Sequence, residues 1–177
     1  MKKISIFFFV LFLACGAASC QKADSERPWG SAVIYMPQAN YNPYVVPNGG
    51  TAQQSNKNYR VDKDAGKVRI FLGAYRAGLE ALQGWTVNVS AGTVPLDGTT
   101  LLPDGSYSLP SSVSCPDGKR DVTFFLSVDI AYLKANSDKD FSLPVTISDP
   151  TRYALNEKLV TSRVRIDTSD LLSKEGL

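Results

Sequence analysis

The sequence predicts an all-β fold, an antiparallel β-sandwich of seven or eight strands joined by Greek-key connections. Three observations carry this expectation. Apolar and polar residues alternate with period two along several segments. Gly, Pro, Asn and Asp separate those segments at short intervals. The longest alternating segment, "DVTFFLSVDI" (121–130), puts Val122, Phe124, Leu126, Val128 and Ile130 on one face and Asp121, Thr123, Phe125, Ser127 and Asp129 on the other. A strand with one apolar and one polar face fits an antiparallel sheet that is wet on one side.

The elements follow in order. "AVIYM" (32–36) opens the pattern. In "KVRIFLGAY" (67–75), Val68, Ile70 and Leu72 share a face, and in "WTVNVSA" (85–91) Trp85, Val87 and Val89 do, with Thr86, Asn88 and Ser90 opposite. "YRAGLEALQG" (75–84) is open between a short helix and a loop. "SSVSCPDG" (111–118) alternates into a turn, and "IAYLKAN" (130–136) is the one plausible helix, a turn or two long. "FSLPVTI" (141–147) turns Phe141, Leu143, Val145 and Ile147 inward. Its Pro144 cannot donate to a ladder, so that strand is expected at an edge or a bulge. "LVTSRVRID" (159–167), with Val160, Val164 and Ile166 inward, closes the set. Such a series of short strands argues for two packed sheets. No internal repeat or second domain is visible.

The N-terminus has the three-part layout of a secretory signal: Lys2 and Lys3, an apolar run from Ile4 to Leu13, then Gly16-Ala17-Ala18-Ser19. The run is well short of the roughly 20 apolar residues a spanning helix needs. Ala17-Ala18-Ser19-Cys20 resembles a bacterial lipobox, in which the cysteine is lipidated and becomes the first mature residue. Cys15 is the competing acceptor, but it would place bulky Phe12 where the lipobox prefers a leucine and would begin the mature chain inside the small-residue segment. The alternative to both is that Cys20 is only a small residue in an ordinary cleavage region. Acyl chains on Cys20 would supply more than the two signals that stable anchoring needs. The expected organisation is a signal over 1–19, a lipidated tether over 20–30, a sandwich over 31–168 and a tail over 169–177. Cys115 would then be the last free thiol, leaving no intrachain disulfide; a buried strand-end thiol is the plain reading of it.

Charge and composition exclude several classes. The chain has 19 Lys+Arg against 17 Asp+Glu. Lys2 and Lys3 leave with the signal, so the mature chain is formally neutral, without the basic block that nucleic acid demands. An apolar content of 44% fits a folded domain and not a disordered one. The chain has no histidine, which removes the usual general base and both Ser-His and Cys-His pairs. One thiol without imidazole does not make a zinc site, and "NGGT" (48–51) and "PDGK" (116–119) lack the spacing of a phosphate loop. The carboxylates that a glycosidase would need fall mostly in turns: "DKDAG" (62–66), "PDG" (103–105 and 116–118) and "SDKD" (137–140). "DKDAG" lacks the third oxygen ligand and distal glutamate of a calcium-binding hand. No enzyme, metal or cofactor is expected.

The segments "LLPDGSYSLPSSVSCPDGKRDVTFFLSVDIAYL" (101–133) and "FSLPVTISDPTRYALNEKLVTSRVRID" (141–167) resemble a known family. It is the domain of unknown function at the N-terminus of many Bacteroidetes surface lipoproteins, including some family 18 endo-β-N-acetylglucosaminidases. The resemblance is carried by Leu102-Pro103, Tyr107-Ser108-Leu109, the strand into Val128-Asp129, Leu143-Pro144-Val145 with Ile147, and Tyr153-Ala154-Leu155-Asn156. "VIYMPQA" (33–39) matches the opening strand, so the likeness spans about 31–168. It implies an immunoglobulin-like sandwich and a glycan-utilisation setting at the outer membrane, beside importers and other lipoproteins. It supplies no catalytic residues, because in the enzymes the chemistry belongs to a separate C-terminal domain. "QKADSE" (21–26) is similar to the acidic export signal of surface lipoproteins, which implies the cell surface, with the periplasmic face as the alternative.

Two functions remain open. The first is non-catalytic glycan capture, in which exposed aromatic rings stack on sugars and amides bond their hydroxyls. "PQANYNPY" (37–44) offers Tyr41 and Tyr44 among Asn40 and Asn42; tyrosines packed on the sandwich rim are the alternative. Trp29 is a weaker candidate and Trp85 reads as core. The second function is structural or adhesin-like, with an exposed strand face binding another protein. Phe71 and Phe125 would mark such a face.

Overall fold

Residues 31–48 and 57–177 are described by a computed structural model. The signal segment, Cys20 and the tether with Trp29 lie outside the described residues. Within them the chain forms β1 (Val33–Tyr35), β2 (Tyr44–Val46), β3 (Tyr59–Asp62), β4 (Lys67–Ala77), β5 (Trp85–Ala91) and β6 (Thr100–Leu101). There follow β7 (Tyr107–Ser108), β8 (Ser112–Cys115), β9 (Asp121–Asp129), α1 (Ile130–Ala135), β10 (Phe141–Ser148), β11 (Ala154–Leu155), β12 (Thr161–Ile166) and α2 (Thr168–Glu175).

The strands build two six-stranded sheets. One runs β11-β1-β4-β9-β7 with β3 also on β4, and the other runs β2-β12-β10-β5-β8 with β6 also on β10. The alternation read from sequence places the core: Val68, Ile70, Leu72, Phe124, Leu126 and Val128 from the first sheet meet Val87, Val89, Leu143, Val145, Val164 and Ile166 from the second. Trp85 and Cys115 are buried with them, as expected.

Several expectations are corrected. The sheets are mixed and not purely antiparallel, because β1 pairs with β11, β2 with β12 and β6 with β10 in parallel. These pairings join segments distant in sequence and involve strands of two or three residues, too short to leave a periodic signature. The same brevity explains why twelve strands stand where seven or eight were expected. The segment 169–177 is not a tail, because α2 places Leu171 and Leu172 in the core and ends at Gly176 in the left-handed conformation, φ 59°.

Pro144 lies on a central strand, neither at an edge nor at a bulge. The β10·β12 register runs through it unbroken, Leu143↔Val164, Pro144↔Arg163, Val145↔Ser162. Its carbonyl accepts from Gly92 N at 2.8 Å, so its nitrogen also faces the β5 side. That edge of β10 changes partner there, from β6 at Phe141–Ser142 to β5 at Val145–Ser148. The donor that proline lacks falls in the gap, and the ladder loses nothing. Gly92 is required at this crossing, since a Cβ on it would lie 2.9 Å from the Pro144 Cβ.

The loop between β4 and β5 resolves the ambiguous "YRAGLEALQG" as strand to Ala77 and then irregular chain. Arg76 continues the inward face of β4 and is 0% exposed. Its guanidinium donates to Gly78 O (3.2 Å), Glu80 O (2.5 Å) and Ala81 O (3.2 Å), and lies 4.7 Å from the Tyr153 ring centroid. A buried charge needs compensation of this kind.

Candidate functional site

The segment from β1 to β2 crosses from one sheet to the other along the side of the sandwich. After Met36, whose N–H donates to Leu159 O at 2.8 Å, Pro37–Asn40 form a short 3-10 turn closed by Tyr41 N donating to Gln38 O at 3.0 Å. Gln38 Oε1 accepts from Gly73 N at 3.1 Å, capping β4 in the interval between its partners β3 and β1. Facing this turn is another, Glu157–Leu159, begun by Asn156, whose side chain accepts from Lys158 N at 3.2 Å. The two turns and the start of β12 enclose a cleft of about 170 Å³ lined by Ala39, Tyr41, Asn42, Lys158, Thr161 and Arg163.

A larger hollow of about 430 Å³ adjoins it. The two share Thr161 and Arg163, and the second runs over Pro144 and the stretch Gly92–Asp97. Together they form one groove on the outer face of the second sheet, floored by the Gly92–Pro144 contact. Outward-facing hydroxyls continue along that face: Thr161 bonds Thr146 at 2.8 Å, and Thr86 bonds Ser114 at 2.8 Å.

The four residues singled out in "PQANYNPY" separate here. Tyr41 is half-buried and Asn42 exposed, and both line the cleft. Asn40 is exposed, but its Nδ2 donates back to Pro37 O at 3.1 Å. Tyr44 is 6% exposed and belongs to the core, with its hydroxyl donating to Phe71 O at 3.2 Å. Burial pushes that phenol up to about 12. Its ring supports Tyr41 from beneath, 6.1 Å between centroids, and offers no face to a ligand. Lys158, Thr161 and Arg163 were not singled out from sequence. The outward phase of Thr161 and Arg163 on "TSRVRI" was legible, but their convergence with a loop 120 or so positions earlier was not.

Other flagged positions resolve individually. Phe71 and Phe125 form a tilted pair, 5.4 Å between centroids, on the outer face of the first sheet, with the Arg60 guanidinium 4.9 Å from Phe125. On the same face Tyr35 and Tyr75 pair at 5.5 Å. In "DKDAG" the Asp62 carboxylate accepts from Ala65 N and pairs with Arg69 at 2.7 Å, and these contacts hold it below the usual carboxylate range. No group of three or more metal-ligating side chains occurs among the described residues. Burial, then the Asp121 carboxylate, pushes the Cys115 thiol up.

No family model matches the chain, and no curated protein matches it. Solved structures do. A protein of unknown function from Bacteroides ovatus aligns at 18% identity and a TM-score of 0.45, over 56% of this chain and 36% of that one. A multidomain protein including DUF1735, from the same organism, aligns at 14% identity and 0.40, over 62% and 36%. The apo-form Calx CBD1 domain aligns at 15% identity and 0.47, over 77% and 96%. The chain thus spans little more than a third of the length of these Bacteroides ovatus relatives.

Proposed function

We propose that this chain is a non-catalytic lipoprotein, anchored through Cys20 to the outer membrane and exposed at the cell surface, that captures glycans beside importer or lipoprotein partners. The observation that carries the reading is the cleft at Tyr41. An aromatic ring supported from below by Tyr44, an exposed amide on Asn42, a hydroxyl on Thr161 and two long cations converge on one depression. Sugars are bound by this combination, a ring for the apolar face of the pyranose and fixed donors and acceptors for its hydroxyls. The lipobox and the family resemblance supply the setting.

The test is affinity electrophoresis of the full chain, kept in detergent, through gels carrying single polysaccharides. The double variant Tyr41→Ala/Asn42→Ala should lose about tenfold or more in affinity for whichever glycan retards the parent, since one aromatic stack and one amide are removed. Tyr44→Phe, which removes only the buried hydroxyl, should be retarded like the parent. Unchanged retardation of the double variant would refute the assignment.

A second reading, a structural or adhesin-like protein that binds another protein, is favoured by one observation. The outer face of the first sheet carries both the Phe71–Phe125 and the Tyr35–Tyr75 pair, with Gly73 between them on β4. Phe125→Ser would then abolish crosslinks to a partner on intact cells and leave polysaccharide retardation unchanged.

A further inference from the structure

Arg163 is singular among the described arginines. Arg69 and Arg165 have carboxylate partners, Arg76, Arg120 and Arg152 donate to backbone or amide oxygens, and Arg60 lies over Phe125. Arg163 has neither hydrogen bond, ion pair nor ring partner among the described residues, although it lines the groove. The contrast with Arg165, one outward position further along β12, is sharp: that guanidinium is held by Asp140 at 2.9 Å and Asp167 at 2.8 Å. Lys158, on the facing turn, is likewise without an ion-pair partner among the described residues and lines the same cleft. Its backbone is fixed by the Asn156 cap. Two uncommitted cations therefore flank Tyr41 in a chain whose mature net charge is zero.

We infer that the glycan taken by this cleft is acidic, with a carboxylate or sulfate group seated between Lys158 and Arg163 while its ring lies against Tyr41. The inference rests on the glycan-capture reading and narrows it. A planar guanidinium binds an oxyanion through two parallel N–H donors, and the lysine ammonium adds a point charge beside it. Asp97 lines the larger hollow on the far side of Arg163 and makes no ion pair with it. An anion is disfavoured there, so the acid group is directed to the Tyr41 side and neutral sugar hydroxyls to the Asp97 side. This gives the groove a direction along the polysaccharide.

The test uses the full chain in detergent against four polymers: polygalacturonate for carboxylates, dextran sulfate for sulfates, and unmodified dextran and mannan as neutral controls. The parent should be retarded by at least one acidic polymer, and the affinity should fall as salt rises. Lys158→Gln/Arg163→Gln should bind that polymer about tenfold or more weakly, with its melting temperature unchanged. Which acidic polymer responds identifies the acid group. An acidic polymer that holds the double variant as tightly as the parent would overturn the inference. Retention on dextran or mannan alone, lost in Tyr41→Ala/Asn42→Ala, would overturn it too while leaving glycan capture standing. Retention on none of a wider polysaccharide panel would overturn both.

Discussion

Replacing Arg76 isolates what a buried, carboxylate-free cation does for this sandwich. Three carbonyls accept from its guanidinium, yet they do not suffer equally when it is removed. Gly78 O keeps the Arg120 bond at 2.9 Å, and Ala81 O keeps the Tyr153 hydroxyl at 2.8 Å. Glu80 O has no other partner among the described residues. The stripped carbonyl costs about 1–3 kcal/mol, and the lost contact with the Tyr153 ring about 0.5–2 kcal/mol. Opposing this is relief from burying a guanidinium whose Nε has no partner. Arg76→Met, which keeps the packing of the stem, should therefore destabilise by about 2 kcal/mol, combining those estimates. Arg76→Ala adds a cavity and should cost about 4 kcal/mol. At roughly 3 °C per kcal/mol for a domain of this size, differential scanning calorimetry should show losses of about 6 and 12 °C. Limited proteolysis should find faster cleavage beside Leu79, which is already 83% exposed on the freed loop. A methionine variant that melts at or above the parent, with the loop no more easily cut, would refute the argument that the cation holds the loop.

Further outcomes follow from the same contacts. Gly92→Ala should lower the melting temperature by several degrees and weaken glycan retention, because the new Cβ would meet Pro144 on the groove floor; an unchanged melt would show that the crossing has slack. The Glu175 carboxylate is held below its usual range by bonds from Lys57 and Tyr59, so it adds stability above the unfolded-state value and loses it as pH falls through the lower folded one. Urea titrations of Glu175→Gln against the parent should therefore diverge at neutral pH and converge in acid; a constant difference would contradict this. Peptide mapping after iodoacetamide should find Cys115 unmodified in the folded chain at neutral pH and modified in urea, and fast native labelling would contradict its burial. Cys20→Ser should abolish labelling by a palmitate analogue, and Cys15→Ser should not; labelling that survives Cys20→Ser would overturn the anchor assignment.

What was legible in the sequence was whatever repeats locally. Val122 to Ile130 and Trp85 to Ala91 declared their faces because burial alternates residue by residue along them. Pro144 misled for a physical reason: a proline in a central strand is tolerated only where the neighbouring ladder is interrupted, and that interruption comes from β5 and β6, not from residues beside Pro144. Arg76 is the opposite case, a charge whose residue type points to solvent although the alternation of β4 turns it inward. Tyr41 and Asn42, which line the cleft, stand out in the sequence because a turn-rich aromatic stretch is a local signal. Tyr44 sits three residues on in the same stretch and faces the other way, since β2 has begun there. Lys158 and Arg163 reach the site only through the pairing of β12 with β2 and the bond from Met36 to Leu159, which no short window contains.

That pairing has a consequence for the order of folding. β2 lies against β12 and nowhere else in its sheet, and Lys57 and Tyr59 reach Glu175 across 118 and 116 residues of sequence. A partly synthesised chain that lacks β12 and α2 leaves β2 with no strand to pair with in its sheet. Contacts of such sequence separation also form slowly. The sandwich therefore closes late, once β12 and α2 are available to receive the early strands. The same closure brings Lys158 and Arg163 beside Tyr41, so the groove exists only once the two sheets have met.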